Sequence, residues 1–302
     1  MKISILTATY NRGYYLKNLY ESIIRNKERT PSMECEWIII DDGSKDETKI
    51  RVHEFINENK IEIKYRYQSN SGKMSAINYG MELVTGDFII DCDSDDYLTN
   101  YAFELIKNYS KKLLENKNIY AMAFLKKDEK GNISGKRFRG FENPTTMFDL
   151  YFKYNIEGEK ILVYNAEIRK LFKHELVEGE KFVTEARMYH KMDENYKIFC
   201  VNDTIEIGDY IDGGYTRNIN EIFRSCPNGY YYYFKEILAK DMSEVLMKKR
   251  MYAIKHYILF GYLARKKFDL KSIKNIENKI LYCVLYLPGI FKSKIFENSV
   301  TS

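Results

Sequence analysis

The stretch GDFIIDCDSDDYLTN, residues 86–100, decides the fold expected for this chain. Its apolar run at residues 88–90 is followed by four aspartates within six residues. A short apolar run bounded by turn residues is typical of a buried strand, so the carboxylates are expected where that strand leaves the sheet. Carboxylates this close repel one another unless a cation neutralises them, and oxygen ligands favour Mg²⁺ or Mn²⁺. The stretch therefore predicts a metal-diphosphate site, formed chiefly by Asp93 and Asp95.

The same acids allow a second interpretation, an acidic loop that caps the helix predicted for residues 101–114. We favour this interpretation for Asp96 alone. For the Asp93-Ser94-Asp95 group we favour the metal, because a divalent ion neutralises the clustered charge.

Outward from this stretch, strand and helix patterns alternate. Strands are predicted at residues 2–8, 35–40 and 61–67, and each is followed by apolar residues at helical spacing. Ser44 and Glu47 form a capping-box pattern that predicts the start of the second helix, with Ile50, Phe55 and Ile56 facing inward. This alternation is typical of an α/β domain with a doubly wound, mostly parallel sheet.

Sheets of this kind bind ligands beyond the carboxyl ends of their strands. Four polar segments fall at those ends: residues 7–12, 41–44, 70–73 and 91–96. Their convergence on one crevice is stronger evidence for a ligand site than any single segment.

Beyond residue 115 the patterns are weaker. Residues 120–125 and 133–138 predict a hairpin, residues 141–160 a loop with a short helix, and residues 197–207 a strand. From residue 221 the chain is helical, basic and rich in tyrosine. We therefore predict a catalytic domain at residues 1–220 and a helical appendage at residues 221–302.

The charge is distributed unevenly. The 302 residues carry a net charge of +5, but residues 221–302 hold 15 Lys and Arg against 7 Asp and Glu. That excess suits an anionic partner such as a membrane surface. We expect no nucleic acid partner, because the region has no recognisable nucleic-acid motif.

The cellular location is predicted from the signals that the sequence does not contain. No apolar run approaches the ~20 residues of a membrane helix, and residues 1–12 do not read as a signal peptide. The five cysteines are scattered, which predicts neither a zinc site nor disulfides. We expect a cytoplasmic protein that also associates with the inner face of the plasma membrane.

Four segments, in this order and at these spacings, resemble the inverting, nucleotide-sugar-dependent glycosyltransferases of family 2, which have the GT-A fold. They are TATYNR, IIIDDGSKDET, NSGKMSAINYGMELVTGDFI and DSDD, and the resemblance covers roughly residues 1–217. It implies a hexosyltransferase-type enzyme that passes a sugar from a UDP-sugar to a glycan or polyprenyl-linked saccharide, as in capsule or exopolysaccharide synthesis. It also implies a Mn²⁺ or Mg²⁺ cofactor.

The resemblance assigns the nucleotide pocket to the first two strand ends. Thr7, Tyr10 and Asn11 would line the uridine pocket. Asp41 or Asp42 would accept a hydrogen bond from the uracil N3–H, for which a fixed carboxylate is a strong acceptor.

The resemblance assigns the diphosphate and the metal to the next two segments. Lys73 would reach the sugar-phosphate, because it stands at a helix N-terminus where N–H groups and a cation favour an anion. DSDD would be the DXD motif, with Asp95 as the first metal ligand and Asp93 as the second, contacting ribose or metal-bound water. Asp91 stands where the family usually has an apolar residue. It would be an extra ligand or a partner of Lys73, and both interpretations remain open.

An inverting transfer needs a general base for the acceptor hydroxyl. The family supplies an acid at the start of a helix, often in a Glu-Asp pair. Glu185 takes that position here, with Thr184 in place of the preceding acid, and Glu180 and Glu178 remain alternatives. Tyr215 or Arg217, in a segment with paired glycines, would touch the diphosphate when that segment closes over the donor.

Two other functions are compatible with parts of the sequence. A sugar-phosphate nucleotidyltransferase has a similar fold, but it opens with a Gly-rich, basic phosphate loop that TATYNRG does not supply. A non-catalytic protein that binds nucleotide or an anionic surface is disfavoured by the retained acids at 93, 95 and 185. Residues 247–267 and 281–291 have apolar-aromatic cores edged with lysine, which suits either helices at a membrane interface or a helical subdomain.

Overall fold

The computed structural model describes residues 1–208, 219–267 and 269–299 of the chain. The chain forms two compact units. The first comprises Met1–His174 and His190–Ile211, and the second comprises Glu175–Tyr189 and Asp212–Ser302. The division of the chain at residue 220 stays a prediction.

Eight strands are described in the first unit: β1 (Lys2–Thr9), β2 (Glu34–Asp41), β3 (Glu62–Tyr67), β4 (Phe88–Asp91), β5 (Tyr97–Leu98), β6 (Ile119–Lys127), β7 (Lys160–Asn165) and β8 (Lys197–Ile207). They form one mixed sheet in the order β3-β2-β1-β4-β7-β6-β8-β5. β1 is parallel to β2 and β4, and β2 is parallel to β3. β7 is antiparallel to β4 and β6. The carboxyl ends of β1 to β4 therefore meet at one edge, and the predicted α/β class with a mostly parallel sheet is confirmed.

Ten α-helices are described: α1 (Leu16–Arg29), α2 (Thr48–Glu58), α3 (Lys73–Gly80), α4 (Ala102–Leu114), α5 (Ala166–Arg169), α6 (Ala186–Met192), α7 (Ile219–Ser225), α8 (Pro227–Ala239), α9 (Met247–Leu263) and α10 (Ile276–Asn298). Helices α1, α2 and α4 bury apolar side chains in one core with the sheet. Helix α3 packs against β1 and β2 through its C-terminal end. Gly80 permits that approach, because a Cβ there would overlap Leu6 Cδ1.

A buried carboxylate connects strands β1, β2 and β3 through polar contacts. Glu36 of β2 has a fully buried side chain and receives the ammonium groups of Lys2 and Lys64 at 2.9 and 2.7 Å. Ser4 Oγ and the Thr85 amide donate to its Oε1 at 2.5 and 2.7 Å. Burial alone would raise the pKa of Glu36, but these hydrogen bonds outweigh burial and lower it to about 2. The cluster joins β1, β2, β3 and the turn before β4.

The predicted capping box was wrong. Helix α2 begins at Thr48, and Asp46 Oδ1 accepts the Thr48 N–H at 3.0 Å. Ser44 Oγ instead accepts the Asn11 N–H at 2.9 Å. Ile50 is exposed, and Val52 and Phe55 face the core. Ile50 stands two residues before Val52, about 200° around the helix from it, and therefore lies outside the buried face.

The predicted hairpin forms only at its turn. The chain reverses after β6, where Ile133 bridges Lys127 and the Ser134 N–H donates to the Lys126 carbonyl at 2.9 Å, but β6 pairs along its length with β7 and β8. β7 lies at the end of the segment that was expected to be a loop. A strand pattern shows that a segment is extended but does not identify its partner, which here is more than thirty residues away.

The second unit has a helical core rich in aromatic rings. Tyr230 of α8 stacks on Phe260 of α9 at 4.8 Å between ring centroids, and Tyr231 stacks on Tyr257 at 5.2 Å. In α9 the apolar residues of the 247–267 segment are largely buried, among them Ile254 and Ile258. Within the described ranges, no helix is both long enough and apolar enough to cross a membrane.

Candidate functional site

The loop after β2 carries two nearly buried carboxylates. Asp42 Oδ1 accepts from Gln68 Nε2 and the Ser71 N–H at 2.7 and 2.8 Å, and its Oδ2 accepts the Gly72 N–H at 2.8 Å. Asp42 therefore holds the loop that leads into α3. Since each oxygen can accept two hydrogen bonds, these contacts leave Asp42 acceptor capacity only at Oδ2.

The neighbouring Asp41 accepts fewer hydrogen bonds than Asp42 does. Its Oδ1 accepts the Ser44 N–H at 2.8 Å and its Oδ2 accepts the Tyr65 hydroxyl at 2.7 Å. One acceptor position remains at each oxygen. The choice between Asp41 and Asp42 as the uracil acceptor stays a prediction.

The end of β1 lies beside the same loop. Asn11 adopts φ +52°, donates its N–H to Ser44 Oγ at 2.9 Å, and accepts the Lys45 N–H at Oδ1 at 2.8 Å. Tyr10 is exposed. Thr7 is fully buried, and its Oγ1 accepts the Trp37 indole N–H at 3.0 Å. The hydroxyl of Thr7 is therefore engaged in the core of the first unit. Tyr10 and Asn11 instead lie at the carboxyl edge of the sheet.

The start of α3 is joined to the acidic segment after β4. Lys73 Nζ lies 2.6 Å from Asp93 Oδ1, and the Asp93 side chain is 48% exposed. The lysine is the first residue of the helix, after Gly72 with φ +95°. A cation, a helix N-terminus and an accessible carboxylate therefore lie together at the carboxyl edge of the sheet.

The pKa of Asp95 is shifted in the direction expected where a cation would be favourable. Burial and the negative charge of Asp93 raise the pKa of Asp95, so a cation shared by the two carboxylates would relieve their repulsion. Among the residues that the structure describes, no three His, Cys, Asp or Glu side chains form a group able to hold a metal. Mg²⁺ held by one or two carboxylates usually completes its coordination with water and substrate phosphates. The assignment of Asp93 and Asp95 as metal ligands stays a prediction.

Asp96 belongs to a buried charge cluster behind these two acids. Lys126 Nζ lies 2.6 Å from Asp96 Oδ2, 2.9 Å from Glu159 and 3.8 Å from Glu206. Burial outweighs the charge of Lys126 and raises the pKa of Asp96 to about 6. Burial, with the charge of Asp96, also raises the pKa of Glu206. Lys126 anchors the turn that carries Asp93 and Asp95.

A buried arginine, Arg169, lies beside Asp91. Arg169 Nη2 lies 3.9 Å from Asp91 Oδ2 and 3.4 Å from His174 Nε2, and the arginine side chain is fully buried. Arg169 Nη1 also donates to the Phe172 carbonyl at 2.8 Å. Arg169 is therefore a cation beside Asp91, and the choice for Asp91 between an extra metal ligand and a partner of Lys73 stays a prediction.

The backbone of His174 is held by α3. Asn78 Nδ2 donates to the His174 carbonyl at 2.9 Å, and the His174 N–H donates to Asn78 Oδ1 at 2.9 Å. Asn78 therefore fixes the end of this part of the first unit.

The candidate bases belong to the second unit. Glu185 is partly exposed at the start of α6, and its Oε2 accepts the Tyr189 hydroxyl at 2.8 Å. Glu180 accepts the Asn228 and Gly229 N–H groups at 2.7 Å each, so it caps the N-terminus of α8. Glu178 is exposed. Arg217, with the rest of residues 209–218, lies outside the described residues.

Sequence reasoning missed three charged side chains near the site: Arg169, Lys126 and Glu206. The available signal was a charge within an otherwise apolar strand for Lys126 and Glu206, since a buried charge requires a partner. Arg169 lies in a short helix after β7 and carries no comparable signal.

Known proteins resemble this chain in sequence and in fold. A family model described as "Glycosyl transferase family 2" matches residues 4–178. An uncharacterized glycosyltransferase of Mycoplasma genitalium, MG060, is 26% identical over 241 residues, which cover 78% of this chain and 71% of that protein.

A second relative is TarS of Staphylococcus aureus, a poly(ribitol-phosphate) beta-N-acetylglucosaminyltransferase. It is 30% identical over 98 residues, which cover 32% of this chain and 17% of TarS. The solved structure of TarS 1-349 in complex with UDP-GlcNAc superposes with a TM-score of 0.57 at 18% identity, over 100% of this chain and 92% of that one.

A third solved structure has a similar fold. The mannosyltransferase PcManGT of Pyrobaculum calidifontis, in complex with GDP-Man and Mn²⁺, superposes with a TM-score of 0.57 at 13% identity, over 98% of this chain and 86% of that one. At these identities the superpositions establish the fold alone, and they confirm the predicted GT-A architecture.

Proposed function

This chain belongs to glycosyl transferase family 2, and on that premise we propose that it transfers a sugar from a UDP-sugar to a hydroxyl group of a glycan or polyprenyl-linked saccharide. The transfer inverts the anomeric configuration and depends on Mn²⁺ or Mg²⁺. The sugar is of the hexose type, and the product contributes to a surface polysaccharide.

The observation that carries this proposal is the pairing of Lys73 with Asp93. It brings the N-terminus of α3 against the acidic segment at the sheet edge, where doubly wound folds bind their ligands. A diphosphate needs both a cation and a metal-binding carboxylate, and these two residues supply them.

The choice of UDP rests on the relatives and on the loop after β2. TarS has been crystallised with UDP-GlcNAc, and Asp41 and Asp42 each retain acceptor capacity for a uracil imide N–H. Tyr10 and Asn11 flank that loop. GDP-Man in PcManGT makes a guanosine donor the competing choice.

Asp95 and Asp93 are the proposed metal ligands. When bound, the ion neutralises the charge that develops on the departing diphosphate. Lys73 would share this task by exchanging Asp93 for a phosphate oxygen, and Arg217 is proposed as a further contact to the diphosphate.

Glu185 is the proposed general base. The acceptor hydroxyl oxygen forms a bond to the anomeric carbon as the carbon–oxygen bond to UDP breaks, and the hydroxyl proton passes to the Glu185 carboxylate. The Tyr189 hydroxyl donates to Glu185 and so orients it. Glu180 is less suited to this role, because both of its oxygens are engaged at the N-terminus of α8.

The acceptor is the least defined partner. TarS acts on poly(ribitol-phosphate), and the basic region from residue 221 suits an acceptor with an anionic lipid or phosphodiester part. We propose a cytoplasmic enzyme that meets a lipid-linked saccharide at the inner face of the membrane.

The test is release of UDP from a panel of UDP-sugars in the presence of Mn²⁺, with saccharide and polyprenyl-diphosphate-linked acceptors. The proposal predicts acceptor-stimulated release with one sugar, loss of release in Asp95→Asn, and a product of inverted anomeric configuration. Release of pyrophosphate from a sugar phosphate and UTP would instead identify a nucleotidyltransferase.

A further inference from the structure

The outer face of α10 carries large apolar side chains along its length, interrupted near its C-terminal end by the exposed Lys294. Six large side chains recur at three- and four-residue steps and are between 55% and 77% exposed: Ile276, Ile280, Val284, Leu287, Phe291 and Ile295. At about 100° per residue, these positions fall within roughly one third of the helix circumference. We call this set the outer stripe. The solvent face of a helix is ordinarily polar, and a large exposed apolar patch marks an interaction site.

The opposite face of α10 is already packed. Asn278, Tyr282 and Ser293 are buried, and Arg250 Nε donates to Asn278 Oδ1 at 2.7 Å. A Cβ added at Gly289 would lie 2.7 Å from Ile258 Cγ2 of α9. These contacts fix the rotation of the helix, so the outer stripe cannot turn inward without breaking them.

The charges beside the stripe are positive. Both acids of α10 are neutralised within the second unit, Glu277 by Arg250 and Glu297 by Arg265, at 2.6 Å in each case. Within the described part of the chain, the three lysines of α10 form no ion pair: Lys279, Lys292 and Lys294. An apolar stripe with unneutralised lysines is complementary to an apolar layer under anionic groups.

We propose that the outer stripe docks α10 in the plane of an anionic lipid membrane, with its apolar side chains among the acyl chains and its lysines at the headgroups. A helix with these two faces lies at the interface, and no described helix is long and apolar enough to span. A second copy of the chain is a poorer occupant, because it would bring lysines against lysines. The inference rests on the proposed membrane location of the acceptor and not on the transfer reaction.

The chain provides its own reporter for docking. Cys283 of α10 is exposed, whereas Cys35, Cys92, Cys200 and Cys226 are buried. The full chain, labelled at Cys283 with a polarity-sensitive dye, is mixed with vesicles of phosphatidylcholine alone or with about one third phosphatidylglycerol. The inference predicts a blue shift and vesicle flotation with the anionic vesicles only, and no shift with either vesicle overturns it.

Matched variants locate the contact. Leu287→Glu with Phe291→Glu should lower vesicle partitioning at least about tenfold, and Lys292→Gln with Lys294→Gln about fivefold per lysine. Ile50→Glu, which makes the same change at an exposed isoleucine of α2, should have no effect. Equal loss in Ile50→Glu overturns the inference. So does a wild-type dimer in sedimentation velocity that Leu287→Glu dissociates, since the stripe would then join copies of the chain.

Binding of UDP is measured on the same samples. Loss of vesicle binding with normal UDP binding contradicts only the docking inference. Normal vesicle binding without UDP binding contradicts only the proposed function.

Discussion

Lys73 Nζ and Asp93 Oδ1 lie 2.6 Å apart, joining the first residue of α3 to the segment after β4. In the proposed complex, Lys73 would exchange Asp93 for a phosphate oxygen, and Asp93 would exchange Lys73 for a metal ion. The two groups carry opposite charges and form an ion pair. The pair therefore links the two segments on which the proposed donor site depends.

Lys73→Met should weaken UDP binding by about tenfold or more, because a charged hydrogen bond contributes about 1.5–3 kcal/mol. Uridine binding, measured in the same calorimeter, should be unchanged, since uridine has no phosphate. Lys173→Met is the matched control, because Lys173 is exposed and pairs with Glu82 at 3.3 Å. Equal losses of UDP and uridine binding would show that Lys73 shapes the pocket rather than holding the phosphate.

Glu185→Gln should abolish sugar transfer and leave UDP binding intact, because a neutral amide cannot take up the acceptor proton. Glu180→Gln should instead lower the melting temperature by removing the cap of α8, at a cost of about 1 kcal/mol, and should retain transfer below that temperature. Transfer is followed by product formation and stability by thermal unfolding. Near-normal transfer by Glu185→Gln would remove the base assignment.

The contact between Asp91 and Arg169 can be tested by substituting both residues. Arg169→Met should destabilise the chain by about 1–3 kcal/mol, because it removes a fully buried guanidinium that lies 3.9 Å from Asp91 Oδ2 and donates to the Phe172 carbonyl. The double variant Arg169→Met with Asp91→Leu should recover part of that stability in urea unfolding.

Metal-dependent UDP binding by the double variant distinguishes a structural role of Asp91 beside Arg169 from a role as a metal ligand. Binding that returns with stability identifies Asp91 as a structural partner of Arg169. Binding that stays absent in a stable double variant identifies Asp91 as a ligand.

Glu36 gives a prediction about acid stability. Its pKa is lowered from 4.5 to about 2, so its contribution is fully present above pH 4.5 and is lost as the pH falls towards 2. The shift corresponds to about 3 kcal/mol. Glu36→Gln should therefore be less stable than wild type by about that amount at pH 7, with a difference that shrinks below pH 4.5. Urea unfolding with Glu104→Gln as the exposed control measures this, and a difference independent of pH would contradict it.

The first half of the fold could be predicted because each element carries its own signal. The helical spacing of Met74, Ile77, Met81 and Val84 gave the buried face of α3 and the turn after it, and all four are buried. Parallel strands bring their carboxyl ends to one edge, which made the convergence of the polar loops predictable. Contacts such as Asp42 with the Gly72 N–H show that convergence.

The rest depended on partners that are remote in sequence. β6 pairs along its length with β7 and β8 rather than with the segment that follows it. Arg169 reaches Asp91, and Lys126 reaches Asp96, only after the sheet has formed. No local pattern encodes such pairs, so the buried cations behind the acidic segment could not be identified from spacing. The roles of the site residues themselves stay predictions.

The central claim is that the carboxyl edge of β1 to β4 binds UDP jointly with a divalent ion held by Asp95. Its most direct test is calorimetric titration of the wild type and Asp95→Asn with UDP, GDP and CDP, with and without Mn²⁺. Asp203→Asn, an exposed aspartate near Tyr109, is the control. The account predicts tight binding of UDP alone, only with Mn²⁺, in the wild type and the control but not in Asp95→Asn. UDP binding that is equally tight without Mn²⁺ and in Asp95→Asn, or a preference for GDP or CDP, would contradict it.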